Sequence, residues 1–574
     1  MEKQANKNKK KILIVTAFPT HGAGSGALIT TQAKSYVENG DEVVIITGNN
    51  RTDFDKLEGV KYHIVPFTAE TENPEKIKGQ CPFNYLMFTT HTESTANFWN
   101  VSLEQIEEYN KAFKKAISEE VKEFNPDIIH AQHNWLTSSI CNEFDKPVVL
   151  TIHGTDLMGY IKANEKLNKV QEDIKAKKTS MEKDGNKQKA NIIEEIYKRA
   201  SSKAEIMREL KTAIKSKKLD ISKTELGELI ELYDAKTLYE LYKKEAEKSA
   251  KQSERIIVIS DMQEQQFNEL FPGNEERVRL LENGYDTKVF YQNKNVTKEQ
   301  IIPELIGKEN TDYDNMVLFV GKFADFKGID ALLDAAKFYE KDAEDKNKKI
   351  ETIIVGSGAL EDKLKKQAQS LQLQHTHFVG RKNHEEICKL QNLATVSLIP
   401  SRNEPFGLVV IEGTSCGHPV IATNSGGIPG ILNVDKEDLS DETKSHVTKL
   451  GVLIPPLPDR PNELDEQEKE ELDEITTKYT MLDDEKEKFV KEEAQKLNLK
   501  EETLNNYLEQ YMRTVNALSS SVIDICDDKL KFNNDEIAEY TEKTYSQEVI
   551  RDKILGIFDE AKDEYQKKSR EEKC

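Results

Sequence analysis

Two series of short, continuously apolar segments constrain the fold of this chain more than any other feature. The first series includes Lys11–Thr16, Glu42–Thr47 and Pro147–His153, and the second runs from Met316–Val320 to Pro419–Thr423. Segments with helical periodicity lie between them. Strands that are apolar throughout, rather than alternately, are typical of a parallel sheet with helices on both faces. We therefore expect an α/β protein with two doubly wound, Rossmann-like domains.

Composition excludes several classes of function. The chain has 574 residues, with 82 Lys and Arg against 103 Asp and Glu, a net charge of −21 that disfavours general nucleic-acid binding. The longest apolar runs, such as Ile12–Ala17, fall far short of the ~20 residues of a membrane-spanning helix, so no transmembrane segment is expected. The cysteines form no CxxC pair, and the basic N-terminus has no secretory pattern, so we expect reduced thiols and a cytoplasmic location.

Two segments do not fit the alternation of strand and helix. Residues 161–252 have helical spacing with 23 basic and 17 acidic residues, and a capping box is predicted at Ser222–Glu225. Residues 463–500 have 14 acidic and 7 basic residues. Both segments are interpreted as helical insertions. Their charge is explained either by helices solvated on one face or by a surface for a partner or an acceptor. For the basic segment 161–252, the partner could also be a second copy of the acidic chain.

The segment Ser401–Ala422 has the densest chemical signal. It follows a predicted strand and opens a helix near Gly407, where the free N–H groups of Gly407, Leu408 and Val409 can receive an anion. Glu404 precedes this helix and Glu412 lies within it, so the two carboxylates can meet different ends of one ligand. Alternatively, Glu404 only complements the helix dipole.

A second signal is the turn Val320–Gly328, which places Lys322 and Lys327 after a predicted parallel strand. Ligands of open α/β sheets bind at the carboxyl ends of the strands. Two cations at this edge suit a diphosphate leaving group, since they would neutralise its developing charge.

These motifs together resemble the retaining family-4 glycosyltransferases of the GT-B fold, in which two Rossmann-like domains face each other across a cleft. The resemblance covers most of residues 10–160, 253–460 and 512–570. It rests on the lysine turn and the Glu-x7-Glu segment, together with these further motifs: His21–Gly26, Pro126–His130, Thr151–Asp156, Val258–Asp261 and Asn283–Phe290.

The resemblance implies roles for individual residues. Glu404, His153 and Lys327 would be catalytic, with His153 directed toward the donor sugar and acceptor. The donor would be held by Gly24, Gly26, Lys322, Lys327, Arg381, Gly407, Leu408, Val409 and Glu412. His130 and His133 are either acceptor-side residues or strand-end hydrogen bonders. Lys322 stands where the family more often has arginine, which would loosen the grip on the donor because lysine lacks the bidentate fork.

The domains expected from this resemblance are residues 1–290 on the acceptor side, residues 291–546 for the nucleotide sugar, and a C-terminal helix, 547–574, that returns to the first domain. The first would contain the insertion 161–252 and the second the insertion 463–512.

The implied activity is transfer of a hexose or N-acetylhexosamine, with retention, from a nucleotide-diphosphate sugar, expected to be UDP-linked, to a hydroxyl of a small-molecule or glycan acceptor. No separate cofactor is implied, and no metal is expected because Asp53–Asp55, a DxD pattern, lies in a polar loop away from the donor half. One alternative is a phosphorylase-like enzyme of the same fold. Another is a non-catalytic scaffold or regulatory subunit that uses its helical insertions to bind a partner.

Overall fold

The computed structural model describes residues 9–21, 24–69, 80–88, 94–183, 187–199, 203–219, 222–306, 312–482 and 484–571. The chain divides into two units. Unit 1 comprises residues 1–258, 264–280 and 553–574, and unit 2 comprises residues 259–263 and 281–552. Each unit contains one seven-stranded sheet.

Unit 1 is built on a fully parallel sheet with the strand order β3-β2-β1-β4-β5-β6-β7. Its strands are β1 (Lys11–Thr16), β2 (Glu42–Asn49), β3 (Val60–Pro66), β4 (Ile128–Gln132), β5 (Val148–Thr151), β6 (Arg255–Val258) and β7 (Val278–Leu280). The first helices are α1 (Ser25–Asn39), α2 (Leu103–Glu123), α3 (Leu136–Cys141), α4 (Thr155–Lys183), α5 (Lys187–Arg199), α6 (Lys203–Lys215), α7 (Lys223–Gln252) and α8 (Asp261–Leu270). Every residue of β4 and β5 is buried, as the continuous apolar pattern predicted.

Unit 2 has the strand order β10-β9-β8-β11-β12-β14-β13, parallel except for β13. Its strands are β8 (Asn315–Val320), β9 (Ile350–Val355), β10 (Thr376–Phe378), β11 (Val396–Ile399), β12 (Val420–Thr423), β13 (His446–Val447) and β14 (Gly451–Ile454). Its helices are α9 (Lys298–Ile306), α10 (Ile329–Asp345), α11 (Glu361–Ser370), α12 (His384–Leu393), α13 (Leu408–Ser415), α14 (Ile428–Ile431), α15 (Glu466–Thr480), α16 (Lys486–Lys496), α17 (Glu501–Cys526) and α18 (Asn534–Tyr545), followed by α19 (Gln547–Glu571).

The expected pair of doubly wound, Rossmann-like domains is confirmed, because both sheets place their first strand in the interior, next to the central strand, and are flanked by helices. The last helix, α19, is divided between the units at Lys553. Beyond that point it packs within unit 1: Phe558 lies against Tyr36 and His130, and Glu560 pairs with Arg255.

The helical segment 161–252 divides into two parts with separate cores. The inner part of α4 and α7, including Leu167, Tyr242 and Ala246, packs in the main core of unit 1. The outer part has its own core of eleven buried residues: Ile174, Met181, Ala190, Ile193, Ile196, Ile206, Leu210, Ala213, Leu219, Leu229 and Tyr233. The capping box at Ser222 and Glu225 is confirmed. The sequence boundaries at 161 and 252 therefore include residues that belong to the sheet-packing core.

The second charged segment has a similar division. Helices α15, α16 and the first turns of α17 share a small core that includes Leu472 and Leu504. The rest of α17, from Tyr511, packs with α10 in the core of unit 2. Since α17 is one continuous helix, the expected end of this insertion at residue 512 falls within an element of the main core.

Among the described residues, no helix offers a stretch both long and apolar enough to cross a bilayer.

Candidate functional site

The lysine turn, residues 321–328, connects β8 to α10 at the carboxyl edge of the unit 2 sheet. Its backbone is tied to the loop after β9, since the Phe323 N–H donates to the Ser357 carbonyl at 2.9 Å. Gly328 has a φ of +63°, and a Cβ there would lie 1.9 Å from the Pro400 carbonyl oxygen. The turn can therefore approach the end of β11 this closely only with glycine at 328.

Lys327 and Glu404, which the sequence placed on separate motifs, form an ion pair. Lys327 Nζ donates to Glu404 Oε2 at 2.5 Å, and the two side chains are 18% and 11% exposed. Ser401 Oγ donates to the same oxygen at 3.3 Å. The carboxylate that follows β11 is thus held against the cation that follows β8.

The loop that presents Glu404 is fixed through its backbone. The Gly427 N–H donates to the Glu404 carbonyl at 3.0 Å. Gly426 has a φ of +58°, and a Cβ at this position would lie 1.7 Å from that same carbonyl oxygen. Gly426 therefore permits the contact that positions Glu404. The sequence motifs did not reveal this role of Gly426.

Helix α13 begins beside this loop. Gly407 caps it with a φ of +113°, and the Val410 N–H donates to the Gly407 carbonyl at 2.9 Å. The N–H groups of Leu408 and Val409 belong to the first turn, where helices have free donors and a partial positive charge. This end of α13 can receive an anion.

Glu412 lies one turn further along α13. Burial raises the pKa of its carboxyl to about 7, against the opposing pull of the Lys327 ammonium. Glu412 therefore changes charge near neutral pH, and it responds electrostatically to the same lysine that pairs with Glu404.

The other two predicted cations of unit 2, Lys322 and Arg381, are exposed. Neither charged group has an ion-pair or hydrogen-bond partner among the residues that the structure describes. They lie in the loops after β8 and β10, so they border the same edge of the sheet and are available to a ligand.

Unit 1 collects a second set of polar groups at the carboxyl ends of β4 and β5. His153 is hydrogen-bonded through Nε2 to Gln132 Oε1 at 2.7 Å, and its ring centroid lies 4.4 Å from that of His133. Burial lowers the pKa of His153 to about 4. His153 is therefore neutral at pH 7.

His130 and His133 differ in their surroundings. His130 is hydrogen-bonded to Thr151 Oγ1 at 2.8 Å, and burial lowers its pKa to about 3. This contact fits the strand-end hydrogen-bonding alternative. Burial also lowers the pKa of His133, whose backbone adopts a φ of +69° beside His153.

Three polar residues of this set were not predicted. Asp156 accepts from the N–H of Asn134 at 2.8 Å and of His153 at 3.1 Å, and burial raises its pKa to about 6. The side-chain amide of Asn134 and Nε2 of Gln132 are buried, with no partner among the described residues. Since buried polar groups are nearly always satisfied, these amides can bind a polar ligand. Because ligands of open α/β sheets bind at the carboxyl ends of the strands, a search for polar residues at the end of β4 would have found both amides.

The predicted glycines of the first loop lie at the start of α1. Gly24 caps the helix with a φ of +77°, and a Cβ on Gly26 would lie 2.7 Å from the Pro19 carbonyl oxygen. Gly22 and Ala23, also part of the predicted loop, lie outside the described residues.

No group of three or more His, Cys, Asp or Glu side chains within the described ranges is arranged to hold a metal ion. In the DxD pattern, Asp53 is paired with Arg51, whose Nε donates at 2.6 Å.

These features define the class of unit 2: a doubly wound α/β domain whose cations, carboxylates and helix N-terminus meet at the carboxyl edge of the sheet. Residues 302–446 match the family model for glycosyl transferases group 1. An uncharacterized glycosyltransferase of Methanocaldococcus jannaschii is 29% identical over 180 residues, 31% of this chain and 43% of that protein.

A D-inositol 3-phosphate glycosyltransferase of Jonesia denitrificans is 28% identical over 211 residues, 36% of this chain and 49% of that protein. The chain thus spans about half the length of these curated relatives. Sucrose-phosphate synthase from Thermosynechococcus elongatus aligns over 96% of this chain and 98% of its own, with a TM-score of 0.49 and 16% identity. The two sheets themselves define the fold.

Proposed function

We propose that the protein is a retaining glycosyltransferase that takes a nucleotide-diphosphate sugar, UDP-linked, and transfers a hexose or N-acetylhexosamine to an acceptor hydroxyl. The observation that carries the proposal is the 2.5 Å pair of Lys327 and Glu404, beside the N-terminus of α13, within the segment that matches the family.

The reaction must break the bond between the anomeric carbon and a diphosphate oxygen while the acceptor oxygen bonds to the same face of that carbon. Negative charge develops on the diphosphate as it leaves. Lys322, Lys327 and the first-turn N–H groups of α13 would stabilise this charge, an effect that grows in a site from which water is excluded. The acceptor proton would pass to the leaving phosphate oxygen, so the scheme needs no side-chain base, metal or separate cofactor.

Each carboxylate has a distinct part in this scheme. Glu404, held by Lys327 and the Gly427 N–H, would contact the sugar close to the reacting carbon. Glu412, deeper in α13, would accept hydrogen bonds from the ribose hydroxyls. In unit 1, neutral His153 and the unpaired amide of Asn134 are suited to hydrogen-bond hydroxyl groups rather than to bind an anion.

A donor panel tests the proposal. UDP-, GDP- and ADP-linked sugars would be incubated with the protein, nucleotide release measured, and the anomeric configuration of any product determined by NMR. We expect release from a UDP-sugar and tight binding of UDP. If none of the sugars is cleaved and none of the three nucleoside diphosphates binds, the enzyme proposal fails and the scaffold alternative is favoured.

A further inference from the structure

The lysine turn is connected to the second charged segment by a chain of ion pairs. On α15, Asp473 Oδ1 accepts from Arg460 Nη2 at 2.6 Å and from Arg460 Nε at 3.1 Å. Arg460 Nη1 donates to Asp325 Oδ2 at 2.6 Å. Asp325 lies in the lysine turn, two residues before Lys327. One arginine therefore bridges α15 and the turn that holds the proposed diphosphate ligand.

A second arginine, Arg402, holds the same turn from the loop after β11. Arg402 Nη1 donates to the Asp325 carbonyl at 3.0 Å, and its backbone N–H donates to the Phe326 carbonyl at 2.8 Å. Its guanidinium also binds both oxygens of Asp330, at 2.8 and 2.5 Å. Arg402 precedes Glu404 by two residues, so the turn is fixed to the carboxylate loop on this side and to α15 on the other.

The α15 side of this arrangement is largely withdrawn from solvent. The side chains of Arg460 and Asp473 are 10% and 15% exposed, and Lys363 Nζ donates to the remaining Asp473 oxygen at 2.9 Å. Although burial disfavours the charged guanidinium, Asp473 and Asp325 hold the pKa of Arg460 above its usual value. A buried pair whose remaining polar atoms are satisfied is costly to break, because one charge is left without a partner.

Helix α15 is itself anchored to the core beneath the turn. Leu472 and Ile475, which flank Asp473, are buried in the small core of α15, α16 and α17. Thr480 Oγ1 donates to Asp334 Oδ2 on α10 at 3.4 Å, and Tyr511 of α17 donates to the same oxygen at 2.9 Å. Asp473 therefore projects from a fixed surface.

We propose that α15 positions the lysine turn for diphosphate binding, with Asp473 and Arg460 as positioning residues that act through Asp325 on Lys322 and Lys327. This inference rests on the proposed function and extends it. The second charged segment, although absent from the sequence motifs, is part of the machinery that sets the affinity for the second phosphate of the nucleotide.

The test compares Asp473→Asn with Glu474→Gln, a matched carboxylate-to-amide change at the next residue of α15, where the side chain is 73% exposed. Binding of UDP and of UMP is measured by calorimetry. We expect Asp473→Asn to weaken UDP binding about tenfold and UMP binding less than twofold, since only UDP presents the second phosphate. Glu474→Gln should change neither, and Asp473→Glu should restore part of the loss. An equal loss for both nucleotides, or none, overturns the inference.

A second readout needs no ligand. Amide hydrogen exchange of residues 321–328 should be faster in Asp473→Asn than in the parent protein, while exchange of β8 is unchanged. Unchanged exchange in the turn would also overturn the inference. If the parent protein binds neither nucleotide, the proposed function fails, and the exchange experiment still decides whether α15 holds the turn.

Discussion

Glu404 has three attachments that fix its position: the Lys327 ammonium, the Ser401 hydroxyl and the Gly427 N–H at its own carbonyl. Glu404→Gln preserves the shape and a hydrogen bond but removes the charge. Since the proposed role is at the reacting carbon, we expect kcat to fall about 10²- to 10³-fold while UDP affinity changes less than threefold. Steady-state kinetics and UDP titration measure the two effects.

Glu437→Gln, at an exposed position of the same unit, is the control and should be neutral. A loss of UDP affinity as large as the loss of kcat would mean that Glu404 acts in ground-state binding instead.

Glu412 predicts a pH dependence of nucleotide binding. Its pKa is raised to about 7, so the carboxyl is half protonated near neutral pH. A carboxylate that accepts from two ribose hydroxyls must be ionised, and binding therefore releases a proton. We expect UDP affinity to rise between pH 6 and pH 8, and to rise less steeply in Glu412→Gln, where the terminal phosphate of UDP still titrates. A parent-like slope in the variant would assign the titration to another group.

At the scale of single residues, the sequence indicates which side chains could be functional, but it does not indicate which partners they contact. Lys327 and Glu404 could be singled out because each follows an apolar strand with a recognisable turn or helix start. Arg460 and Asp325 could not be paired, because 135 residues separate them and nothing local to either indicates the contact.

Among the elements, the contact between the loop after β11 and the loop after β12 depends on the left-handed Gly426. Gly426→Ala would place a methyl group 1.7 Å from the Glu404 carbonyl oxygen at a φ of +58°. The loop must move to relieve this contact, and Glu404 moves with it. We expect a lower melting temperature and a loss of at least 10²-fold in kcat, measured by calorimetry and steady-state kinetics.

Gly556→Ala, in α19, is the matched control. A Cβ there meets nothing within 4 Å, so the change should stabilise the helix by about 0.5–1 kcal/mol. If Gly426→Ala also stabilised the protein, the proposal that Gly426 positions Glu404 would be contradicted.

Most of the strands predicted from the sequence are buried over most of their length. β1 has the expected bounds, because four of its six residues are Ile, Leu or Val. β3 was missed because it lies at the edge of its sheet and contains Lys61, Tyr62 and His63 among its apolar residues. β7, at the opposite edge, has only three residues. Edge strands need fewer apolar side chains and leave a weaker pattern.

For the whole molecule, the two parts of the first insertion predict different results on removal. Replacing residues 171–232 by a short glycine-serine linker removes most of the outer core and leaves Leu167, Tyr242 and Ala246 in place. We expect UDP binding to be retained and acceptor use or assembly to change, as measured by calorimetry, transfer assays and light scattering.

Removing residues 161–252 instead deletes part of the main core of unit 1, so it should abolish folding of that unit, measured by circular dichroism. Loss of UDP binding in the shorter deletion would place the outer part in the nucleotide-binding machinery. The sequence could not draw this internal boundary, because helical periodicity is the same whether a helix packs on a sheet or on other helices.

The separate core of the outer insertion also affects how the protein loses its structure. The two long helices α4 and α7 contribute both to this core and to the main core of unit 1. Segments with their own small core open at a lower free-energy cost than the unit to which they are attached. Amide exchange should therefore differ along α4 and α7. The outer turns should exchange through local opening, and the inner turns only when unit 1 unfolds as a whole. A single unfolding free energy would then not describe unit 1, since its outermost helices are lost while its sheet is intact.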